Sequence, residues 1–218
     1  GQEALTGFKR FFKGAPAGEL YTKLGQTDYA AEIAQIRASD ADSVFFFLPG
    51  GMGISFLKQY ADSGVGLPVI GPAFSFDQGI LQATGEAALG VRNTSQWSPD
   101  LDNPANQRFV AAFRQQNNGR NPSFYAGQAY DVLMAMDAAV RDVGGKVADK
   151  PALLKAIKAA NYKSVRGDFR YGANNFPVQN YYLRVIAKDG SGRIANKVIG
   201  TVLERYQDRT AAQCAMKS

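Results

Sequence analysis

This sequence predicts an α/β fold built around a parallel sheet, on three observations. Val44, Phe45, Phe46, Phe47 and Leu48 form a continuous apolar run, as expected of a strand covered on both faces. Ile54, Leu57 and Ala61 then fall at helical spacing, and a second run, Pro68-Val69-Ile70-Gly71-Pro72, follows one helix length later. Both runs break on Gly and Pro. In parallel α/β sheets ligands bind in the crevice outside the carboxyl ends of the strands, so the functional edge is expected at residues 49–52 and 71–74.

The remaining elements follow in order. Residues 2–12 read as a helix with Leu5, Phe8 and Phe12 on one face, an opening with no strand before it and therefore that of a chain cut from something longer. Residues 18–24 read as a short strand, after which Asp28 caps a helix carrying Ala30, Ile33, Ala34 and Ile36. A helical segment spans 79–84, and residues 90–97 read as a further strand. Asn103 or the residue after it opens a helix bearing Phe109, Val110 and Phe113. Residues 123–143 give the strongest helix, with Ala129, Val132, Leu133, Met136 and Val140 as one apolar stripe read as core. Pro151 starts another helix, and residues 181–187 and 197–203 form a hairpin about Lys188-Asp189-Gly190-Ser191-Gly192.

Composition narrows the chemistry. The 218 residues are 45% hydrophobic and 20% charged, ordinary for a globular protein, and no stretch approaches the roughly 20 apolar residues of a membrane span. Histidine is absent, which removes the imidazole general base, the Ser-His and Cys-His pairs and the commonest transition-metal ligand. A lone cysteine, Cys214, builds neither an intrachain disulfide nor a thiolate metal site; it is either a free thiol on a C-terminal tail or the partner of a cysteine upstream of Gly1. The net charge of +6 is spread along the chain, and Lys9, Arg10 and Lys13 fit the solvated face of a helix. Nucleic-acid binding is not expected. With no Gly-x-Gly-x-x-Gly loop and no nucleophile elbow, neither catalytic residues nor metal ligands nor a cofactor site are predicted.

Several motifs in this order carry a resemblance: Gly7-Phe8-Lys9-Arg10-Phe11-Phe12, Gln26-Thr27-Asp28-Tyr29, Phe47-Leu48-Pro49-Gly50-Gly51-Met52-Gly53, Gly71-Pro72, Trp97-Ser98-Pro99-Asp100-Leu101-Asp102-Asn103-Pro104 and Ser164-Val165-Arg166-Gly167. Together they resemble the solute-binding proteins of ABC importers, in the type I periplasmic group that includes the leucine/isoleucine/valine-binding protein. The resemblance implies a two-lobed type I periplasmic-binding-protein fold, joined by three crossings and closing on a ligand, of which the first lobe's N-terminal portion lies outside this sequence. It implies that residues 1–121 form the second lobe, 122–177 belong to the first, and 178–218 return to the second. The expected role is capture of a solute outside the cytoplasm, in the periplasm, for ABC permease subunits; branched-chain amino-acid binding and a ligand-sensing regulatory domain of the same fold are the alternatives.

In the branched-chain amino-acid binders of this group, an acidic residue directly after the Gly-Pro holds the ligand ammonium. That position is Ala73 here. Around it stand Phe74 and Phe76, with Met52, Trp97, Phe124 and Tyr125 at other segment ends, a set that suits a planar ring. The expected ligand-binding residues are Pro49, Gly50, Gly51, Met52, Ala73, Phe74, Trp97, Phe124 and Tyr125, with carboxylate donors expected either from backbone N–H groups of residues 50–53 or from the part of the first lobe outside this sequence. The combination resembles the branch that binds benzoate-like acids. A zwitterionic amino acid fits only if Asp77 swings in. Asp100 and Asp102 read as turn or cap residues.

Overall fold

A computed structural model describes residues 1–215. The chain divides into two compact units, Gly1–Asn93 with Val185–Asn196, and Thr94–Arg184 with the residues from Lys197 on. These divisions fall inside three strands, whereas the sequence reading divides the chain at 121 and 177.

In the first unit, α1 (Gln2–Phe11), α2 (Ala30–Ala38), β1 (Val44–Phe45), α3 (Gly50–Ser63), β2 (Val69–Pro72), a 3-10 turn (Ala73–Phe76) and α4 (Gln78–Thr84) follow one another, and β3 (Arg92–Ser95) leaves the unit. β1 and β2 pair in parallel, Val44 opposite Val69 and Phe45 opposite Ile70, as the buried runs require. The Phe46 N–H to Ile70 O bond (2.8 Å) carries the pairing one residue further, short of the predicted Leu48. On β5 (Pro177–Lys188), Ile186 exchanges hydrogen bonds with Gly90 and Val91 at 2.9 Å each, beside the start of β3. The core comprises Tyr29, Ile33, Phe46, Phe56, Leu57, Tyr60, Val69, Phe76, Leu81, Val91 and Ile186. Gly71 sits at its tightest point: a Cβ there would lie 2.5 Å from Phe46 O and 2.7 Å from the Phe76 ring, so only glycine fits.

The predicted strand at 18–24 does not form. Its hydrogen bonds are local instead: Tyr21 Oη donates to Glu19, and the Lys23 and Gln26 N–H groups close a turn. A strand without a ladder partner has nowhere to place its backbone groups but water and turns.

The second unit contains α5 (Pro104–Gln116), α6 (Phe124–Asp142), α7 (Lys150–Ala159), β4 (Phe169–Tyr171), most of β5 and the greater part of β6 (Ile194–Tyr206). α5 opens at Asn103 as expected, whereas Asp28, expected to cap α2, stands one residue before its N-cap Tyr29 and accepts the Ala30 N–H at 3.0 Å. Asn103 accepts from the Asn106 N–H, Ser123 from the Ala126 N–H and Asp149 from the Ala152 N–H, and Pro104 and Pro151 occupy first-turn positions. β4 pairs antiparallel with β5, and β6 pairs with β5 as the predicted hairpin.

One expectation is reversed. The α6 stripe of Val132, Leu133 and Met136 is exposed, and the helix buries Phe124, Gly127, Asp131, Ala135, Ala138 and Ala139 instead. Its inner face is set by a polar anchor. The fully buried Asp131 carboxylate receives the Ser164 hydroxyl, the Val165 N–H (2.9 Å) and Arg166 Nε (2.8 Å), tying the 164–167 loop to the helix. Arg166 is completed by Gln179 Oε1 (2.8 Å) and lies 4.1 Å over the Phe169 ring. Periodicity finds an apolar stripe but not what faces it, and the small-residue stripe leaves no hydrophobic signal.

Candidate functional site

The functional edge of the first unit is built from two segment ends. Where β1 runs out, Pro49 in extended conformation caps α3 without a side-chain hydrogen bond, and Gly50 takes φ +44°, a left-handed turn that favours glycine. Pro49 O already receives the Met52 N–H (3.1 Å) and Gly53 N–H (3.4 Å), which leaves the Gly50 and Gly51 N–H groups without a partner among the described residues. Of the four predicted donors, two are therefore free to meet a carboxylate. Pro49, Gly50 and Gly51 are exposed, and Met52 is half-buried with its sulfur 3.4 Å from the Gly25 N–H.

Where β2 ends, Ala73 is buried and Phe74 half-buried on the 3-10 turn. The Phe74 ring stands 4.7 Å from that of Phe47, at 59°. Sequence reasoning missed Phe47, because a continuous apolar run hides the period-two alternation that turns Phe46 into the core and leaves Phe45 and Phe47 half-buried. Phe76, weighed as a ring contact, is wholly core beside Phe46 at 5.3 Å. Gln59 braces the approach to this edge: its Oε1 accepts the Tyr29 N–H (2.8 Å) and its Nε2 donates to Thr27 O (2.7 Å), pinning the 26–29 motif to α3. The Tyr29 hydroxyl donates to Gln26 O (2.9 Å), and burial pushes its phenol up.

No acidic side chain occupies the Ala73 position. Asp77, the nearest candidate in sequence, is buried and caps α4 by accepting the Gly79 N–H at 3.0 Å. Moving it to a ligand would strip that cap, worth about 0.5–2 kcal/mol. Two more buried polar atoms, Ser75 Oγ and Gln78 Oε1, lack partners among the described residues, although Gln78 Nε2 reaches Ile194 O (3.0 Å).

The other predicted residues lie in the second unit. Trp97 serves as core there: it is 1% exposed, its indole N–H donates to Asn106 Oδ1 (2.7 Å), and Gly127 leaves just enough room for its ring. Phe124 is buried and Tyr125 exposed, their ring centroids 4.0 Å apart. Asp100 and Asp102 hold turns, as expected. Asp100 accepts from the Ser98 hydroxyl and the Val198 N–H, and Asp102 from Gln107. A surface groove of about 380 Å³ between the end of α6 and α7, lined by Val143, Lys146 and Ala156 among others, contains none of the predicted residues. No group of acidic or sulfur ligands able to hold a metal occurs among the described residues.

Residues 1–191 match the family model described as periplasmic binding protein. The chain belongs to the periplasmic binding protein family. Among curated members, the Leu/Ile/Val-binding protein homolog 6 of Brucella melitensis is 32% identical over 211 residues, which are 92% of this chain and 54% of that protein. The chain thus spans about half the length of the curated relatives it matches. Among solved members of the family, a solute-binding protein of an ABC transporter from R. palustris, in complex with benzoate, is 34% identical at a TM-score of 0.84, over 95% of this chain and 57% of that one. A second, from Rhodopseudomonas palustris HaA2 in complex with p-hydroxybenzoic acid, is 26% identical at a TM-score of 0.85, over 98% of this chain and 60% of that one. No helix among the described residues is long and apolar enough to cross a membrane.

Proposed function

We propose that this chain is part of the periplasmic solute-binding component of an ABC importer, and that its solute is a small aromatic carboxylate. The single observation that carries the ligand class is Ala73, buried where the resemblance calls for an ammonium-binding acid, with Asp77 committed to the α4 cap. An ammonium enclosed beside Ala73 would be a buried charge without a partner, which is strongly unfavourable. A benzoate-like ring meets no such cost. Its flat face suits Phe74, Phe47 and Met52, and its carboxylate suits the Gly50 and Gly51 N–H groups at the start of α3.

The similar solved proteins that hold benzoate and p-hydroxybenzoic acid support this reading. The name of the Brucella relative favours a second one, branched-chain amino-acid binding. The role is binding and delivery to permease subunits, not catalysis. Mass spectrometry of the small molecule released by denaturing the complete, freshly purified protein tests it. An aromatic carboxylate is the expected finding; a stoichiometric aliphatic amino acid would overturn it in favour of the second reading.

A further inference from the structure

A chain of buried amides holds the exit of the 3-10 turn Ala73–Phe76. Asn196, near the start of β6, donates its Nδ2 to Phe76 O at 2.9 Å, and its Oδ1 accepts Asn93 Nδ2 of β3 at 2.8 Å. Two residues further along, Gln78 Nε2 donates to Ile194 O (3.0 Å), so the start of β6 grips the chain on both sides of Asp77. Phe76, Asn93 and Asn196 are at most 3% exposed, and all of these residues belong to the first unit. A buried carboxamide is costly unless it is bonded. This pair is bonded to itself and to the turn that carries Ala73 and Phe74.

The entry to the turn is set by Gly71, fitted against Phe46 O and the Phe76 ring, and Pro72 caps the turn without a side-chain hydrogen bond. Packing of the Phe76 ring on Phe46 at 5.3 Å fixes where that residue sits, but it is non-directional and does not set the tilt of the peptide plane. A hydrogen bond to the carbonyl is directional and does. That plane lies two residues from Phe74, whose half-buried ring meets Phe47 at 4.7 Å. We infer that Asn196 is a positioning residue for the solute: through Phe76 O it holds the turn so that the Phe74 ring faces the solute, and Asn93 holds Asn196 in place. Both act through Phe74. The inference rests on the reading of residues 73 and 74 as solute contacts.

Calorimetric titration of the complete protein with benzoate tests this through a double-mutant cycle between Asn196 and Phe74. Asn196→Ala should weaken benzoate binding about tenfold, the scale of one buried hydrogen bond lost. In a Phe74→Ala background the same substitution should change affinity by less than about twofold, because the ring it positions is gone. Asn93→Ala keeps the bond to Phe76 and loosens the side chain that makes it. It should weaken benzoate about threefold and be silent in the Phe74→Ala background. An equal loss in both backgrounds would overturn the inference, since it would mark a general structural role, as would unchanged affinity in Asn196→Ala. Should Asn196→Ala fail to fold, Asn93→Ala decides by the same comparison. Should the unmodified protein bind leucine in place of benzoate, the aromatic assignment alone fails, and the cycle is read with leucine and the same criteria.

Discussion

Helices α3 and α6 each carry a long apolar stripe, yet they use it in opposite senses. α3 turns Phe56, Leu57 and Tyr60 inward, where Phe56 meets Tyr29 edge-on at 5.5 Å and Phe46 at 5.1 Å. α6 turns its alanines inward and holds its inner face with the Asp131 network, leaving Val132, Leu133 and Met136 in water. Full burial of one such side chain is worth about 1.5–3 kcal/mol, so α3 is secured by the hydrophobic effect within this chain. α6 is secured by one satisfied charge, with its large apolar surface unspent. The contrast separates a helix buried through its large side chains from one buried through small side chains around a single charge.

The sharpest way to break the comparison is to remove the anchor of each helix and measure stability of the complete polypeptide by chemical denaturation. Phe56→Ala should cost about 3–5 kcal/mol through the cavity it opens. Asp131→Ala should cost a similar ~3–5 kcal/mol for another reason, because it leaves the buried Arg166 guanidinium without its anion. The two differ in rescue. Adding Arg166→Met to Asp131→Ala should recover most of the loss, since an apolar pair of matched volume replaces a buried ion pair at little cost. Failure of that rescue would show that Asp131 acts through its bonds to Ser164 and Val165 rather than as a counter-ion.

A smaller effect reports on the same network through pH. Tyr162 has its phenol pushed up to about 12, first by burial and then by the negative charge of Asp131. In the unfolded chain it titrates near 10. The unfolded state therefore loses its proton first as pH rises, and the stability that Tyr162 contributes is full below pH 10 and is lost as pH climbs towards 12. Ultraviolet titration should find Tyr162 ionising after the exposed tyrosines, and Asp131→Asn should move it down. No shift in that variant would separate Tyr162 from the anchor.

Much of this was legible from sequence where local chemistry decides. The Val44 and Val69 strands, the Asn103 opening of α5 and the Pro151 start of α7 follow from residue type and spacing alone. Features that depend on a distant partner were not. Periodicity identified the α6 stripe but could not say that an aspartate seven residues into the helix, bonded to Ser164 and Arg166, would turn that stripe outward. The segment at 18–24 has strand composition and no strand beside it. At the site, Met52, Ala73 and Phe74 were read from their places at segment ends, and all three lie in the first unit. Trp97 was read the same way, but its indole N–H goes to Asn106, a helix residue that no motif connects to it.

Calorimetric titration of the complete protein with benzoate and with leucine, repeated on Ala73→Glu, tests the ligand assignment most directly. The account predicts benzoate binding by the unmodified protein, little or no leucine binding, and weakened benzoate binding once a carboxylate stands at position 73 and repels the ligand's own. Tight leucine binding by the unmodified protein, or benzoate binding indifferent to Glu at position 73, would contradict it.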